Sequence, residues 1–307
     1  MSNFFDELDR LYDAGDLDAV EAFILDAIVG SPENSPEQAG LLNELAGFYR
    51  GVSRYEESER AFLESLEIFE ESGMEATAQY ATVLLNLAGL YRVGGEADKS
   101  IELFYSAMKK LEAAGGKDSY AYISVLNNLA LAWQEKGELD RALEYAQAAL
   151  DLLRAAVSDT AEYDHEIAAS LNNIASIRLK LGEIEVADAL VSESLSIYDG
   201  MPEPDVHHAA ALTTKAVVRF RSGDISGALE GFKQGLELTR RFFGENIEFA
   251  VCRRNIADVY ERLGKIPEAI EELSDADRVA SGLLGDAHPM VVNLREKLTL
   301  LHKTAQA

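Results

Sequence analysis

The sequence predicts an all-α solenoid, a right-handed superhelix of stacked antiparallel helical hairpins. Three observations carry that prediction. A repeat of 41 to 45 residues runs through most of the chain, a glycine follows five of the six marker alanines at a fixed distance, and the composition is rich in the strong helix formers Leu, Ala and Glu.

The repeat is anchored by Leu45-Ala46-Gly47-Phe48-Tyr49. It recurs around Ala88, Ala130, Ala175, Ala216 and Ala257, at spacings of 42, 42, 45, 41 and 41 residues. Seven residues after the last five alanines stand Gly95, Gly137, Gly182, Gly223 and Gly264, with Ser53 in that place in the earlier unit. A helix that ends on a left-handed glycine cap turns back into a second, antiparallel helix. That second helix needs a small residue where it touches the first, and Ser58, Ser100, Ala142, Ala187, Ala228 and Ala269 occupy the position. Large apolar residues follow on the same face, including Phe62, Phe104 and Phe232. A single hairpin of this kind cannot bury its stripe alone, so neighbours stack.

The units so delimited are 38–72, 79–114, 120–156, 165–199, 207–241 and 248–282, after a divergent first unit over 1–30 that carries Gly15 in the turn position. Residues 289–304 supply one further helix, a solvating C-terminal cap. The whole of 1–307 reads as one array. Ser31-Pro32-Glu33-Asn34-Ser35-Pro36 shortens the first spacing, and about three extra residues fall near Val157–His165.

Apolar residues make up 48% of the 307, enough for a continuous core, and six prolines are too few for a proline-rich linker. The formal net charge of −26 repels phosphate backbones and anionic lipid, which argues against nucleic acid and membrane partners. Cys252 is the only cysteine, so an intrachain disulfide is excluded and a reducing compartment fits. Met1 to Arg10 lacks the basic start and apolar run of a signal peptide, and no apolar stretch approaches the ~20 residues that span a bilayer. The expected location is the cytoplasm.

The repeat resembles the tetratricopeptide repeat, and its length is similar to that of the kinesin-light-chain-like subtype. The matching segments are Leu126-Asn127-Asn128-Leu129-Ala130 and Leu171-Asn172-Asn173-Ile174-Ala175. The interrepeat signature appears as Gly285-Asp286-Ala287-His288-Pro289-Met290-Val291. The resemblance implies a concave groove lined by the first helix of each hairpin. It also implies groove asparagines two residues before the marker alanine: Asn86, Asn128, Asn173 and Asn255, with Thr214 in the gap and Asn127 and Asn172 alongside. Side-chain amides both donate and accept, so such a ladder suits the backbone of an extended peptide. Bonds between neighbouring helices are the alternative use. The family's chaperone-tail binders carry lysines four residues before those asparagines, where this chain has Thr82, Ser124, Ala169, Ala210 and Val251. That role is argued against.

Cations gather on later first helices, at Arg178, Lys215, Arg219, Arg221 and Arg254. Arg178 and Arg219 stand where other units have Tyr49, Tyr91, Trp133 and Tyr260, and Lys215 stands where the others have leucine or isoleucine. They are read either as an anion-accepting contact for an acidic partner or as cations paired with carboxylates of this chain. Gly47 and Gly89 are expected to leave the early groove shallow and open. Neither His207-His208 nor any other histidine has metal-ligand spacing, and no phosphate loop or catalytic constellation is present, so no cofactor or metal is expected. The reading is a non-enzymatic scaffold that binds a protein or peptide. Its rivals are a peptide-sensing regulator and a homo-oligomeric structural component.

Overall fold

A computed structural model describes residues 2–156, 164–203 and 205–306, and these divide into two compact units meeting at Leu181 and Gly182. The expansion expected near Val157–His165 lies, for 157–163, outside the described residues.

The first unit opens with α1 (Ser2–Ala14) and α2 (Leu17–Gly30), then α3 (Pro36–Gly51) and α4 (Tyr55–Glu71). It continues with α5 (Ala78–Val93), α6 (Ala97–Ala113), α7 (Tyr120–Glu135), α8 (Leu139–Ala156) and α9 (Asp164–Lys180). The second unit holds α10 (Ile184–Tyr198), α11 (Val206–Ser222), α12 (Ile225–Phe243), α13 (Ile247–Arg262), α14 (Ile266–Leu284) and α15 (Pro289–Gln306). Among the described residues there is no strand, and the fold is an all-α solenoid.

Within each unit every helix packs on the next, and in the first unit α3 touches α5, α5 touches α7 and α7 touches α9. First helices therefore form one layer and second helices α4, α6 and α8 another. The local chemistry sets the helix ends. Side chains of Ser35, Thr77, Ser119, Asp205 and Asn246 accept from backbone N–H groups in the first turn of their helices. At the hairpin turn the residue eight places after the marker alanine donates its N–H to the carbonyl of the aromatic position, as in Glu96 to Tyr91 (2.8 Å) and Lys265 to Tyr260 (2.9 Å). The closure requires a left-handed residue between them. Gly95 supplies it at φ 83°, and Ser53 adopts the same region at φ 62° without glycine's freedom.

The small residues of the second helices are all fully buried, and Phe62 and Phe104 are at 0% exposure. Tyrosines then tie the hairpins that begin with α3, α5 and α7 to the one before. Tyr49 donates to Glu21 (2.8 Å), Tyr80 to Glu70 (2.6 Å) and Tyr122 to Glu112 (3.0 Å), and Tyr91 donates to Glu59. Cations cover the same rings: the Arg54 guanidinium lies 4.3 Å from the Tyr49 centroid and Lys99 Nζ 3.4 Å from that of Tyr91. The aromatic repeat position is thus consumed by stacking.

Candidate functional site

On a helix, residues two before, one after and four after the marker alanine are three apart and share one stripe. In α5 these are Asn86, Gly89 and Arg92, and the equivalent stripes of α3, α7 and α9 lie in the same layer. Polar side chains of this stripe and its neighbours link adjacent first helices. Asn86 Nδ2 donates to Asn43 Oδ1 (2.9 Å), Arg50 Nη1 to the Asn86 carbonyl (3.1 Å) and Gln134 Nε2 to Ser176 Oγ (2.8 Å). Arg92 pairs with Glu135, and Lys180 Nζ lies 3.5 Å from the Gln134 carbonyl.

The predicted amides fall into different settings. Asn127 exchanges hydrogen bonds with Ser170 (2.9 and 3.1 Å), so like Asn86 it is engaged with the neighbouring repeat. Thr213, at the same register as Asn127, meets Cys252, at the register of Ser170, at 3.7 Å. Asn128 Nδ2 turns back to its own helix at the Ser124 carbonyl (2.9 Å), and Thr214 does the same at Ala210 (3.1 Å). Asn173 is half-buried on α9, and Asn172 is buried with its Oδ1 lacking a partner among the described residues. Asn255 accepts a long bond from Arg254 Nη2 (3.4 Å). In the second unit's equivalent positions the amide ladder is therefore broken by a threonine and an arginine-bound asparagine.

Glu44 stands in the asparagine register of α3. Burial holds its carboxyl above the usual carboxylate range, opposed by a hydrogen bond from Asn43 (3.2 Å). Glycine behaves differently at the two positions expected to open the groove. Nothing comes within 4 Å of a Cβ built on Gly47, but one on Gly89 would lie 2.7 Å from Arg50 Nη1. The space beside Gly89 is filled, not open. Arg50 is the functional candidate that sequence reading missed. Its signal was a glycine in α5 opposite an arginine at the end of α3.

The cations expected to receive an anion have partners within the chain. Lys215 Nζ sits 2.6 Å from Asp188 Oδ1 on α10 and 2.8 Å from Ser192 Oγ. Arg219 Nε lies 4.0 Å from Asp224, and its Nη1 donates to the Gly227 carbonyl at 3.2 Å. Arg219 and Asp224 occupy the positions of Tyr49 and Arg54, or Tyr260 and Lys265, so the cation has moved to the other member of the pair. Arg178 belongs to the first unit, whereas Lys215, Arg219, Arg221 and Arg254 belong to the second. Arg254 is exposed, and its neighbour Arg253 bridges Glu272 (2.7 Å) and Asp275 (3.0 Å).

Two other residues complete the survey. Cys252 is 4% exposed, and burial pushes its thiol up to about 11. His208 is largely buried: its ring stacks on Tyr198 at 5.3 Å, and only 13% of its side chain is exposed. Among the described residues no group of three or more His, Cys, Asp or Glu could hold a metal ion, and no helix is long and apolar enough to cross a membrane.

The tetratricopeptide-repeat family model matches residues 37–94 and 79–155. No curated protein matches the sequence. Among solved structures, the Rap conjugation gene regulator of plasmid pLS20 in complex with the Phr* peptide superposes with TM-score 0.70 at 17% identity, covering 93% of this chain and 77% of that one. NprR with its cognate peptide NprX gives 0.65 at 16% identity, covering 97% and 86%. A chain of the APC/C hetero-tetramer Cut9–Hcn1 gives 0.64 at 16% identity over 95% of this chain, which spans only 48% of that one. At these identities the likeness is one of fold.

Proposed function

We propose that this tetratricopeptide-repeat protein is a non-catalytic interaction scaffold holding an extended peptide or protein segment along the first-helix face of its first unit. The observation that carries the reading is the stripe itself. Four consecutive first helices present half-buried amides, guanidinium groups and an open Gly47 on one layer, while Tyr49 and Tyr91 are taken up by ties to the preceding hairpin. Amide side chains there offer both donors and acceptors to a peptide backbone of any sequence. The peptide-bound state of two neighbours in fold, Rap with Phr* and NprR with NprX, favours an extended segment over a folded partner. Nucleic acid fits poorly with a net charge of −26.

A display library of random-sequence peptides selected on the full chain tests this reading. Enriched peptides should slow amide hydrogen exchange on α3, α5, α7 and α9. Asn128→Ala and Asn173→Ala should each weaken binding by about 1 kcal/mol with the melt nearly unchanged. Failure to enrich any peptide, or protection confined to α4, α6 and α8, would remove the proposal. Light scattering reports whether a second copy of the chain occupies the face instead.

A further inference from the structure

Carboxylates outnumber cations almost two to one in this chain, 54 to 28, and most of its engaged arginines lie on one. Arg54 meets Glu21 and Glu57, Arg253 meets Glu272 and Asp275, and Arg295 meets Asp277 and Asp286. Arg50 breaks the pattern. Its side chain leaves the last turn of α3 and crosses to α5, where Nη1 donates to a neutral acceptor, the Asn86 carbonyl, at 3.1 Å. Glu44 lies six residues back on the same helix, about 120° round its axis, and takes its hydrogen bond from Asn43 instead. Among the described residues no carboxylate pairs with Arg50.

Its surroundings make that omission costly. Burial pushes the Arg50 guanidinium down to about 10, and the neighbouring positive charge of Arg92 pushes the same way against a smaller opposing effect of Tyr55. Arg92 stands at the same repeat position one hairpin later and shares Glu135 with solvent, its Nε buried without a partner among the described residues. These two cations, on adjacent first helices, carry one carboxylate between them among the described residues. Gly89 leaves room for this arrangement: a Cβ there would lie 2.7 Å from Arg50 Nη1, and the end of the arginine would have to move. The bond to the Asn86 carbonyl also orients the guanidinium plane, leaving the Nε and Nη2 donors to form a two-pronged contact.

We infer that Arg50 and Arg92, with the Asn86 edge between them, form a subsite for one carboxylate of the bound segment. This rests on the scaffold reading above and narrows its ligand to a segment carrying an acidic side chain or a free C-terminus at that point. The site lies four residues after the marker alanine. It is therefore distinct from the position where chaperone-tail binders of the family carry lysines, which holds Thr82 and Ser124 here. A carboxylate suits it better than a bulkier, doubly charged phosphate in a surface this acidic.

The direct test uses small probes on the full chain and needs no natural partner. N-acetylglycine presents a C-terminal carboxylate, N-acetylaspartate α-amide presents an acidic side chain, and N-acetylasparagine amide is the neutral control. The Arg50 Nε–H resonance, identified by its absence in Arg50→Gln, should shift saturably with one or both carboxylates, and the preferred probe names the source. It should not respond to the neutral control or to equal chloride. Peptides selected from the display library should lose about tenfold or more in affinity with Arg50→Gln, a loss of about 1.4 kcal/mol. The same loss should follow amidation of their acidic group, and the two changes should not add. No saturable shift with either carboxylate overturns the subsite. If selected peptides bind yet ignore Arg50→Gln, the subsite fails while the scaffold reading stands. If the probes bind and no peptide is enriched, the scaffold reading fails alone.

Discussion

Twelve residues after each marker alanine the second helix presses its small residue onto the first, and two of these residues are serines in different circumstances. Ser58 donates to the Ala46 carbonyl at 2.7 Å, whereas the Ser100 hydroxyl is fully buried with no partner among the described residues. The other four repeats use alanine at this place. Replacing each serine by alanine changes the same atoms at equivalent sites, so differences in packing and helix propensity largely cancel. Ser58→Ala removes a satisfied buried hydrogen bond and should cost about 1 kcal/mol. Ser100→Ala removes an unsatisfied hydroxyl, whose burial costs about 1–3 kcal/mol, and should stabilise by that order. The two variants should differ by about 2–4 kcal/mol and in sign. Repeat arrays need not unfold in one step, so a single melting midpoint is a poor readout. Native-state hydrogen exchange of α3 and α4 for one variant, and of α5 and α6 for the other, measures each hairpin locally. Equal destabilisation by both changes would refute the reasoning, because Ser100 would then have to be hydrogen-bonded in solution.

Glu44→Gln should stabilise the protein at neutral pH. A carboxyl held above its ordinary range contributes most below its unfolded pKa, and that contribution is lost as pH rises through the folded value. The gain should vanish in acid below about 4.3 in paired denaturation curves, and an unchanged gain there would contradict burial as the cause. Lys215→Leu should alter stability by no more than about 1 kcal/mol, because Asp188 is 47% exposed and rehydrates when its partner leaves. A loss of several kcal/mol in calorimetric melts would show that the pair is structural. The Cys252 thiol should react with a thiol reagent at neutral pH only on unfolding, as its raised pKa and 4% exposure require. Prompt labelling of the folded chain would place it at the surface.

The hairpins were legible because their chemistry is local. A marker alanine, a glycine seven residues on and a small residue five further specify a helix, its cap and the contact of the returning helix. Ser53 was assigned to the turn by register alone, and it adopts the left-handed conformation that the register demands. The pairing of the polar face was not legible. Asn86 reaches Asn43 and Lys215 reaches Asp188 across 43 and 27 residues, distances fixed by how hairpins stack and not by any periodicity within them. For the same reason Gly89 read as open space, since nothing in its own helix announces that an arginine from the preceding repeat fills it.

The tyrosine ties have a direction. In Tyr49–Glu21, Tyr80–Glu70, Tyr91–Glu59 and Tyr122–Glu112, the carboxylate always lies upstream, on the helix completed just before the tyrosine's own. As the chain leaves the ribosome, N-terminus first, each new tyrosine has an acceptor that has already been synthesised. None of the four has to wait for sequence still to come. The first unit can thus be assembled one hairpin at a time in the order of translation, each finished hairpin serving as the template on which the next is laid.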